Sequence, residues 1–188
     1  MDSEVHSVLL VSKDSKTCSL ISAMLAAPLF DLTLSSDSNE ARRIARERSF
    51  HIVIVDSGDG SGTDLAIDLS DSLSTVLLMA PAEHFDQISY SVEGYGVLTI
   101  TKPFDSFYFY NMIKIAIAVQ YKVQVLSSKA VQLKAKMEEI RLVNRAKMLL
   151  MQSQSMTEQE AHRYLEKEAM DRGAKRTAIA EEIIRTFS

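Results

Sequence analysis

Ile52-Val53-Ile54-Val55-Asp56 is the segment that decides the fold of this chain. Its four consecutive β-branched residues form a short apolar run, which predicts a strand that is buried on both faces of a sheet. The run stops at an acidic residue, and a loop that contains Gly58, Gly60 and Gly62 follows. The segment therefore predicts a carboxylate, that of Asp56, at the carboxyl end of a buried strand.

Similar apolar runs alternate with helical patterns on either side of this strand. The predicted strands are residues 8–11, 32–34, 52–55, 76–79 and 97–100, and the predicted helices between them are 15–27, 40–48 and 64–73. This alternation predicts an α/β fold, with a doubly wound, five-stranded parallel sheet and helices on both faces. Sites in such sheets lie at the carboxyl ends of the strands. The residues expected at that edge are Ser12, Lys13, Asp14, Asp56, Ala80 and Lys102.

Residues 5–120 resemble the receiver domain of bacterial response regulators, which has a flavodoxin-like sheet. Asp56 matches the aspartate that accepts the phosphoryl group in that family. Lys102, followed by Pro103 and Phe104, matches the lysine that contacts the phosphoryl group. The resemblance implies a role in two-component signalling, with a sensor kinase or another regulatory protein as a partner.

The phosphoacceptor site departs from the family pattern. The family has two adjacent acids after the first strand, which hold Mg²⁺ together with the phosphoacceptor, but this chain has Ser12 and Lys13, and only Asp14 beside them is acidic. Ala80 stands where the family has Ser or Thr. Mg²⁺ needs oxygen ligands, and phosphoryl transfer needs a cation. We therefore predict no cofactor, and no ordinary Mg²⁺-dependent phosphorylation of Asp56. One hypothesis is that the Lys13 ammonium replaces the metal beside Asp56, and the alternative is that Lys13 faces solvent.

Residues 105–172 contain neither glycine nor proline, which predicts a long helix. Apolar residues recur in this helix at alternating spacings of three and four, from Phe109 through Met112 and Ala116 onward. We expect Phe109 and Ala116 to cover the sheet of their own domain. The later positions predict a parallel homodimeric coiled coil, and Asn144 continues their register with a polar residue. The predicted dimer seam consists of Val119, Val123, Leu126, Ala130, Leu133, Met137 and Ile140.

The C-terminal part of the chain predicts a small bundle of three helices. Thr157 and Glu160 have the spacing of a capping box, which predicts that a helix starts at Thr157. Gly173 predicts its end, and a last helix is predicted over 175–187. The predicted organisation is a receiver-like domain at 1–120, a coiled-coil linker at 121–144, and a helical domain at 129–188 that overlaps the linker.

Residues 129–187 resemble the ANTAR domain, an RNA-binding module that follows a receiver domain in transcription antiterminators. The resemblance rests on Ala146-Lys147, Leu150-Met151, Glu160-Ala161, Leu165, Ala169-Met170, Ile179-Ala180 and Ile183-Ile184. Met148 departs from the family, which usually has glycine at this position. The resemblance implies that the chain binds stem-loops in nascent RNA and thereby prevents a terminator from forming.

The charge distribution fits a nucleic-acid-binding C-terminal domain. Residues 1–128 have a net charge of −7, whereas residues 129–188 have a net charge of +3, within a total of −4. Phosphates supply most of the affinity in such binding, and unpaired bases stack on aromatic rings. Tyr164 is the candidate for stacking, although a half-buried packing role is equally open. The predicted RNA-binding residues are Arg145, Ala146, Lys147, Arg163, Tyr164, Arg172, Lys175 and Arg176.

Other functional classes receive less support from the sequence. The four histidines lack ligand spacing, and no nucleophile–base pair is recognisable, so we do not expect an enzyme or a metal site. The single cysteine, Cys18, excludes an intramolecular disulfide and is expected to be a small buried side chain. Asp2 and Glu4 do not resemble the start of a signal peptide, so we expect a cytoplasmic protein with no membrane contact. Two alternatives remain open, namely a DNA-binding response regulator and a coiled-coil interaction protein that binds no nucleic acid.

Overall fold

The computed structural model describes residues 5–58 and 62–187 of the chain. Asp2, Glu4 and Gly60, on which parts of the sequence analysis depend, lie outside these residues. The chain divides into two compact units, Met1–Val125 and Leu126–Ser188. Over the described ranges, none of the helices combines the length and the apolar character that crossing a bilayer requires.

The N-terminal unit contains the predicted five-stranded parallel sheet. The strands are β1 (His6–Val11), β2 (Phe30–Ser35), β3 (Ile52–Asp56), β4 (Thr75–Pro81) and β5 (Leu98–Lys102), in the spatial order β2-β1-β3-β4-β5. The helices between them are α1 (Ser15–Met24), α2 (Ser38–Glu47), α3 (Gly62–Ser70) and α4 (Phe85–Val92). The doubly wound α/β prediction is thus confirmed. Helix α4 was not predicted, because only Ile88 and Val92 mark its apolar face, and short 3₁₀ turns flank it at Ala82–His84 and Glu93–Tyr95.

Strand β3 is buried on both faces, as its continuous apolar sequence predicts. Val53 and Val55 pack into one layer of the core, between the sheet and helices α2, α3 and α4. Ile52 and Ile54 pack into the opposite layer, which α1 and the start of the long helix α5 (Ser106–Gln154) cover. None of these four side chains is exposed by more than about 1%. The strand therefore holds its last residue, Asp56, in a fixed position.

The first turns of α5 complete the core of the N-terminal unit. Phe109 and Ala116 are fully buried, which confirms that they pack on their own domain. Ile113 is also fully buried, although it lies outside the spacing of the predicted seam. A helix that packs on a sheet buries a wider stripe than a two-helix seam does, so it uses this additional position.

The C-terminal unit is a bundle of the later part of α5 with α6 (Glu158–Asp171) and α7 (Arg176–Phe187). The predicted capping box is confirmed. The backbone N–H of Glu160 donates to Oγ1 of Thr157 at 3.3 Å, and the N–H of Thr157 donates to Oε2 of Glu160 at 2.8 Å. Helix α6 ends as predicted at Gly173, whose φ of 59° lies in the left-handed region that favours glycine.

Candidate functional site

The carboxyl ends of the strands in the N-terminal unit surround a pocket of about 240 Å³. Asp56 from the end of β3 and Lys102 from the end of β5 meet there. Ser12, Lys13 and Asp14, which follow β1, line the same pocket. Ala80 is fully buried within β4, beside this edge of the sheet rather than in the pocket lining.

Three donors from the described part of the chain hold the carboxylate of Asp56. The Lys102 ammonium forms an ion pair with Oδ1, to which the backbone N–H of Gly58 also donates, at 3.0 Å. The Ser12 hydroxyl donates to Oδ2 at 2.9 Å. The Asp56 side chain is 6% exposed and that of Lys102 24% exposed. A buried charge is tolerated when it has a counter-charge and hydrogen bonds, and here both are present.

The hypothesis that Lys13 replaces the metal does not agree with the structure, because Lys102 provides the ion pair to Asp56. Ser12 is buried and directs its hydroxyl at the carboxylate, whereas the next residue, Lys13, is exposed. An exposed lysine keeps its ammonium hydrated, while the Lys102 side chain, on the far side of β4, reaches the buried carboxylate.

Asp14 caps helix α1 and is not directed at Asp56. Its Oδ1 accepts from the N–H of Lys16 at 3.1 Å, and its Oδ2 accepts from the N–H and the hydroxyl of Thr17 at 3.2 and 2.6 Å. The hydrogen bond from the Thr17 hydroxyl and that from the Lys16 N–H lower the pKa of Asp14. This carboxylate therefore satisfies the amino terminus of a helix.

The donors around Asp56 do not fit Mg²⁺, which the receiver fold would imply. Mg²⁺ requires near-octahedral oxygen ligands. Among the described residues, the Asp56 carboxylate is already paired with an ammonium and accepts from one hydroxyl, and the Asp14 carboxylate in the same pocket caps α1. Across residues 5–58 and 62–187, no group of three or more His, Cys, Asp or Glu side chains could hold a metal ion.

Gly62 is a residue of this site that the sequence analysis did not single out. A Cβ atom at this position would lie 2.7 Å from the carbonyl oxygen of Asp56 and 2.7 Å from Cα of Ser57. Because real side chains do not approach so closely, only glycine lets the start of α3 lie against the end of β3. The signal in the sequence is the glycine-rich loop that follows β3. Cys18 is half-buried and donates from Sγ to the Ser12 carbonyl at 3.6 Å, so it is less buried than predicted.

Several predicted RNA-binding cations in the C-terminal unit are paired with carboxylates. Lys147 donates to Oε1 of Glu158 at 2.9 Å, its side chain is only 15% exposed, and the hydrogen bond lowers the pKa of Glu158. Arg172 donates twice to Glu182, at 2.6 and 2.9 Å. Arg176 lies 3.8 Å from Glu139 and 3.7 Å from Glu166. These cations hold the bundle together.

Ala146 is fully buried in the core of the bundle, so its predicted place on the RNA-binding surface is wrong. Leu142, Ala146, Leu149 and Leu150 are spaced as one apolar helix face, and this periodicity was the available signal for burial.

Arg145, Arg163 and Lys175 are exposed, and within the described ranges none of them forms an ion pair with a carboxylate. Tyr164 is partly exposed, at 37%. Of the predicted RNA-binding residues, three cations that no described carboxylate pairs with, and the partly exposed ring of Tyr164, thus remain for an external ligand.

The predicted seam residues of the C-terminal unit present apolar surface. Leu126, Ala130, Leu133, Met137 and Ile140 are all exposed. In the N-terminal unit, Val119 and Val123 are half-buried. Exposed apolar residues at regular helical spacing form a surface that a second helix can cover.

Comparison with known proteins agrees with both parts of the fold. Residues 131–184 match the ANTAR domain. The transcriptional regulatory protein PdtaR of Mycobacterium tuberculosis is 24% identical over 156 residues, which cover 81% of this chain and 76% of that protein. The aliphatic amidase regulator of Pseudomonas aeruginosa is 34% identical over 93 residues, or 50% of this chain and 46% of that protein.

The N-terminal fold is found among solved structures. The signal receiver domain of an HD domain-containing protein from Pseudomonas fluorescens superposes with a TM-score of 0.59 and 15% identity, over 66% of this chain and 95% of that one. This likeness identifies the fold, and the matched relatives are regulatory proteins by name. The chain thus joins a receiver-fold domain to a C-terminal ANTAR domain, as its sequence predicted.

Proposed function

We propose that the protein is a dimeric regulator that binds RNA stem-loops through its ANTAR domain and acts in transcription antitermination, with no catalytic activity of its own. The observation that carries the proposal is the match of residues 131–184 to the ANTAR domain. The unpaired cations of that domain support it, because phosphates supply most of the affinity of such interfaces.

The cations expected to contact phosphates are Arg145, Arg163 and Lys175. They are exposed, and no carboxylate among the described residues pairs with them. Lys147 instead pairs α5 with α6 through Glu158, and Arg176 pairs α7 with α5 through Glu139 and with α6 through Glu166. An RNA phosphate would have to displace these carboxylates, whereas the free cations can bind without that cost.

We further propose that the receiver domain does not work through Mg²⁺-dependent phosphorylation of Asp56. The support is the donor set, in which Lys102 already balances the carboxylate and Asp14 is committed to a helix cap. A regulatory partner would then act through another surface of the domain.

The dimer is proposed from the exposed seam. Each chain would contribute one ANTAR domain, so two stem-loops could be held at once and avidity could exceed the affinity of a single site. The exposed apolar residues of α5 support this arrangement, since a coiled coil buries them.

Binding of the full-length protein to a pool of RNA hairpins, with a common stem and a randomised loop, tests this function. Duplex DNA of equal charge serves as the competitor at moderate salt. We expect RNA to be retained, and Arg145→Ala or Lys175→Ala to lower the magnitude of the salt slope by about one each, because each removes one phosphate contact. Lys122→Ala, an exposed lysine in the N-terminal unit, is the matched control and should change nothing.

Preferential retention of duplex DNA would favour a DNA-binding regulator, and an absence of nucleic-acid binding even at low salt would favour a protein-interaction module. Either result would refute the RNA-binding function.

A further inference from the structure

A second pocket, of about 250 Å³, lies in the C-terminal unit. Tyr164 and Glu168 line it from one face of α6, and Arg172, the residue directly after the helix, continues their spacing of four. Ile179, Ile183 and Phe187 line it from α7, and Gln154 lines it at the end of α5. The pocket thus has an apolar floor and two aromatic rings.

The rings of this pocket are accessible. Tyr164 and Phe187 are each 37% exposed, although both belong to a small bundle with few large side chains. Flat, partly exposed rings beside an apolar floor suit a flat ligand, because stacking removes both surfaces from water.

The charged groups of the pocket balance each other. Arg172 donates to both carboxylate oxygens of Glu182, which raises the pKa of Arg172 and lowers that of Glu182. A neutralised pair attracts a phosphate less than a free arginine does, yet it still offers N–H donors and carboxylate lone pairs at its edge. The Gln154 amide adds one donor group and one acceptor. The chemistry therefore suits an uncharged planar group with a polar edge.

We infer that the pocket between α6 and α7 binds one unpaired nucleobase of an RNA loop, stacked on Tyr164 or Phe187, with its polar edge toward the Arg172–Glu182 pair. This inference rests on the proposed RNA-binding function and assigns it a site for reading the loop. Specific RNA recognition commonly targets unpaired loop bases, which stack on aromatic side chains and form hydrogen bonds through their edges. The exposed cations would hold the backbone, and this pocket would select the base.

The test uses the full-length protein and hairpins selected from the pool with a randomised loop. Each loop nucleotide is replaced in turn by an abasic nucleotide, which keeps the phosphate and removes the base. We expect one position at which loss of the base weakens binding roughly tenfold, as base stacking predicts. Tyr164→Leu or Phe187→Leu, whichever removes the ring that the base stacks on, should weaken binding to the intact hairpin by a similar factor. In that variant the abasic hairpin should bind no worse than the intact one.

Conservative variants separate a role in binding from a role in folding. Tyr164→Phe and Phe187→Tyr retain the rings and should bind nearly as the wild type does. Tyr90→Leu, at an exposed tyrosine in the N-terminal unit, is the matched control. Glu182→Gln exchanges an acceptor for a donor at the edge of the pocket and should change which base is preferred in the loop.

The inference is overturned if Tyr164→Leu and Phe187→Leu proteins with wild-type circular dichroism still discriminate intact from abasic hairpins as the wild type does. In that case the RNA-binding function stands and only the pocket is lost. If the wild-type protein retains no hairpin, both are lost.

Discussion

Truncation of Leu133 tests whether the exposed seam pairs with a second chain. Leu133 is 62% exposed in the single chain, and its neighbour Val131 is 66% exposed. Leu133 lies in the alternating three–four register of the seam, whereas Val131 lies outside it. The two apolar residues are thus matched in exposure, and a partner helix on the seam would cover Leu133 and not Val131.

The size of the effect follows from the area that pairing would bury. Leu133→Ala removes three carbon atoms, worth about 0.8 kcal/mol each when fully buried. Scaled by the exposed fraction of 62%, the loss is about 1.5 kcal/mol per chain and about 3 kcal/mol per dimer. The dimer dissociation constant should therefore rise between about 100- and 200-fold. Alanine is a good helix former, so the helix itself should persist.

Sedimentation-equilibrium ultracentrifugation of both variants over a range of concentrations measures this change. Val131→Ala should leave the dissociation constant within about twofold of the wild type, because its side chain stays in solvent in either state. Equal effects of the two substitutions, or a wild-type protein that is monomeric at all concentrations, would refute dimerisation through the seam.

Three further outcomes follow from contacts within the chain. Lys102→Met should lower the free energy of unfolding by about 2–3 kcal/mol in urea titrations, because it leaves the buried Asp56 carboxylate without its counter-charge. The control Lys13→Met should change the free energy of unfolding by less than about 0.5 kcal/mol. Thr157→Ala should cost about 1 kcal/mol at neutral pH through loss of the helix cap. Thr157 lowers the pKa of Glu160 below its usual 4.5, first through the hydrogen bond from its backbone N–H and then through that from its hydroxyl. The stability that these bonds add is therefore present above pH 4.5, and it is lost as the pH falls through the lower pKa of the folded state. Of the two hydrogen bonds to Oε2 of Glu160, alanine keeps that from the backbone N–H and removes only that from the hydroxyl, so thermal melts should show the Thr157→Ala difference shrinking in acid by the share of that bond. Treatment of the protein with acetyl phosphate and Mg²⁺ should give no phosphoprotein band on a phosphate-affinity gel. A Mg²⁺-dependent band that disappears in the Asp56→Asn variant would contradict the conclusion that the donors around Asp56 do not fit Mg²⁺.

The fold was predictable wherever the local pattern of apolar and polar residues matches which side chains are buried. The run 52–55 predicted β3 because a strand buried on both faces needs four consecutive apolar side chains. Thr157 and Glu160 predicted the start of α6, because a capping box is a contact between near neighbours in the sequence. Helix α4 escaped prediction because its eight residues carry too short an apolar pattern.

The contacts within the candidate sites were less predictable, because they join residues that are distant in the sequence. Lys102 and Asp56 are 46 positions apart. The Lys-Pro pair placed Lys102 near the site, but nothing in the local sequence shows that Lys102, and not Lys13, pairs with the carboxylate. Lys147 carries the motif of an RNA-binding residue, yet Glu158, eleven positions later, binds its ammonium. Which cations remain free depends on the packing of the helices, and this information becomes available only in three dimensions.

The core of the ANTAR domain contains four small side chains at the contacts between its helices. Ala146, Ala161, Ala169 and Ala180 are all buried there. A methyl group lets two helix backbones approach more closely than a leucine side chain does, so these residues set the separation of the helix axes. Arg145 and Arg163 project from α5 and α6, and Lys175 directly precedes α7, so the mutual spacing of these cations follows from that separation. The volume of the buried side chains therefore sets the distances between the surface cations. Replacing one buried alanine by a larger residue would change those distances without altering any of the cations.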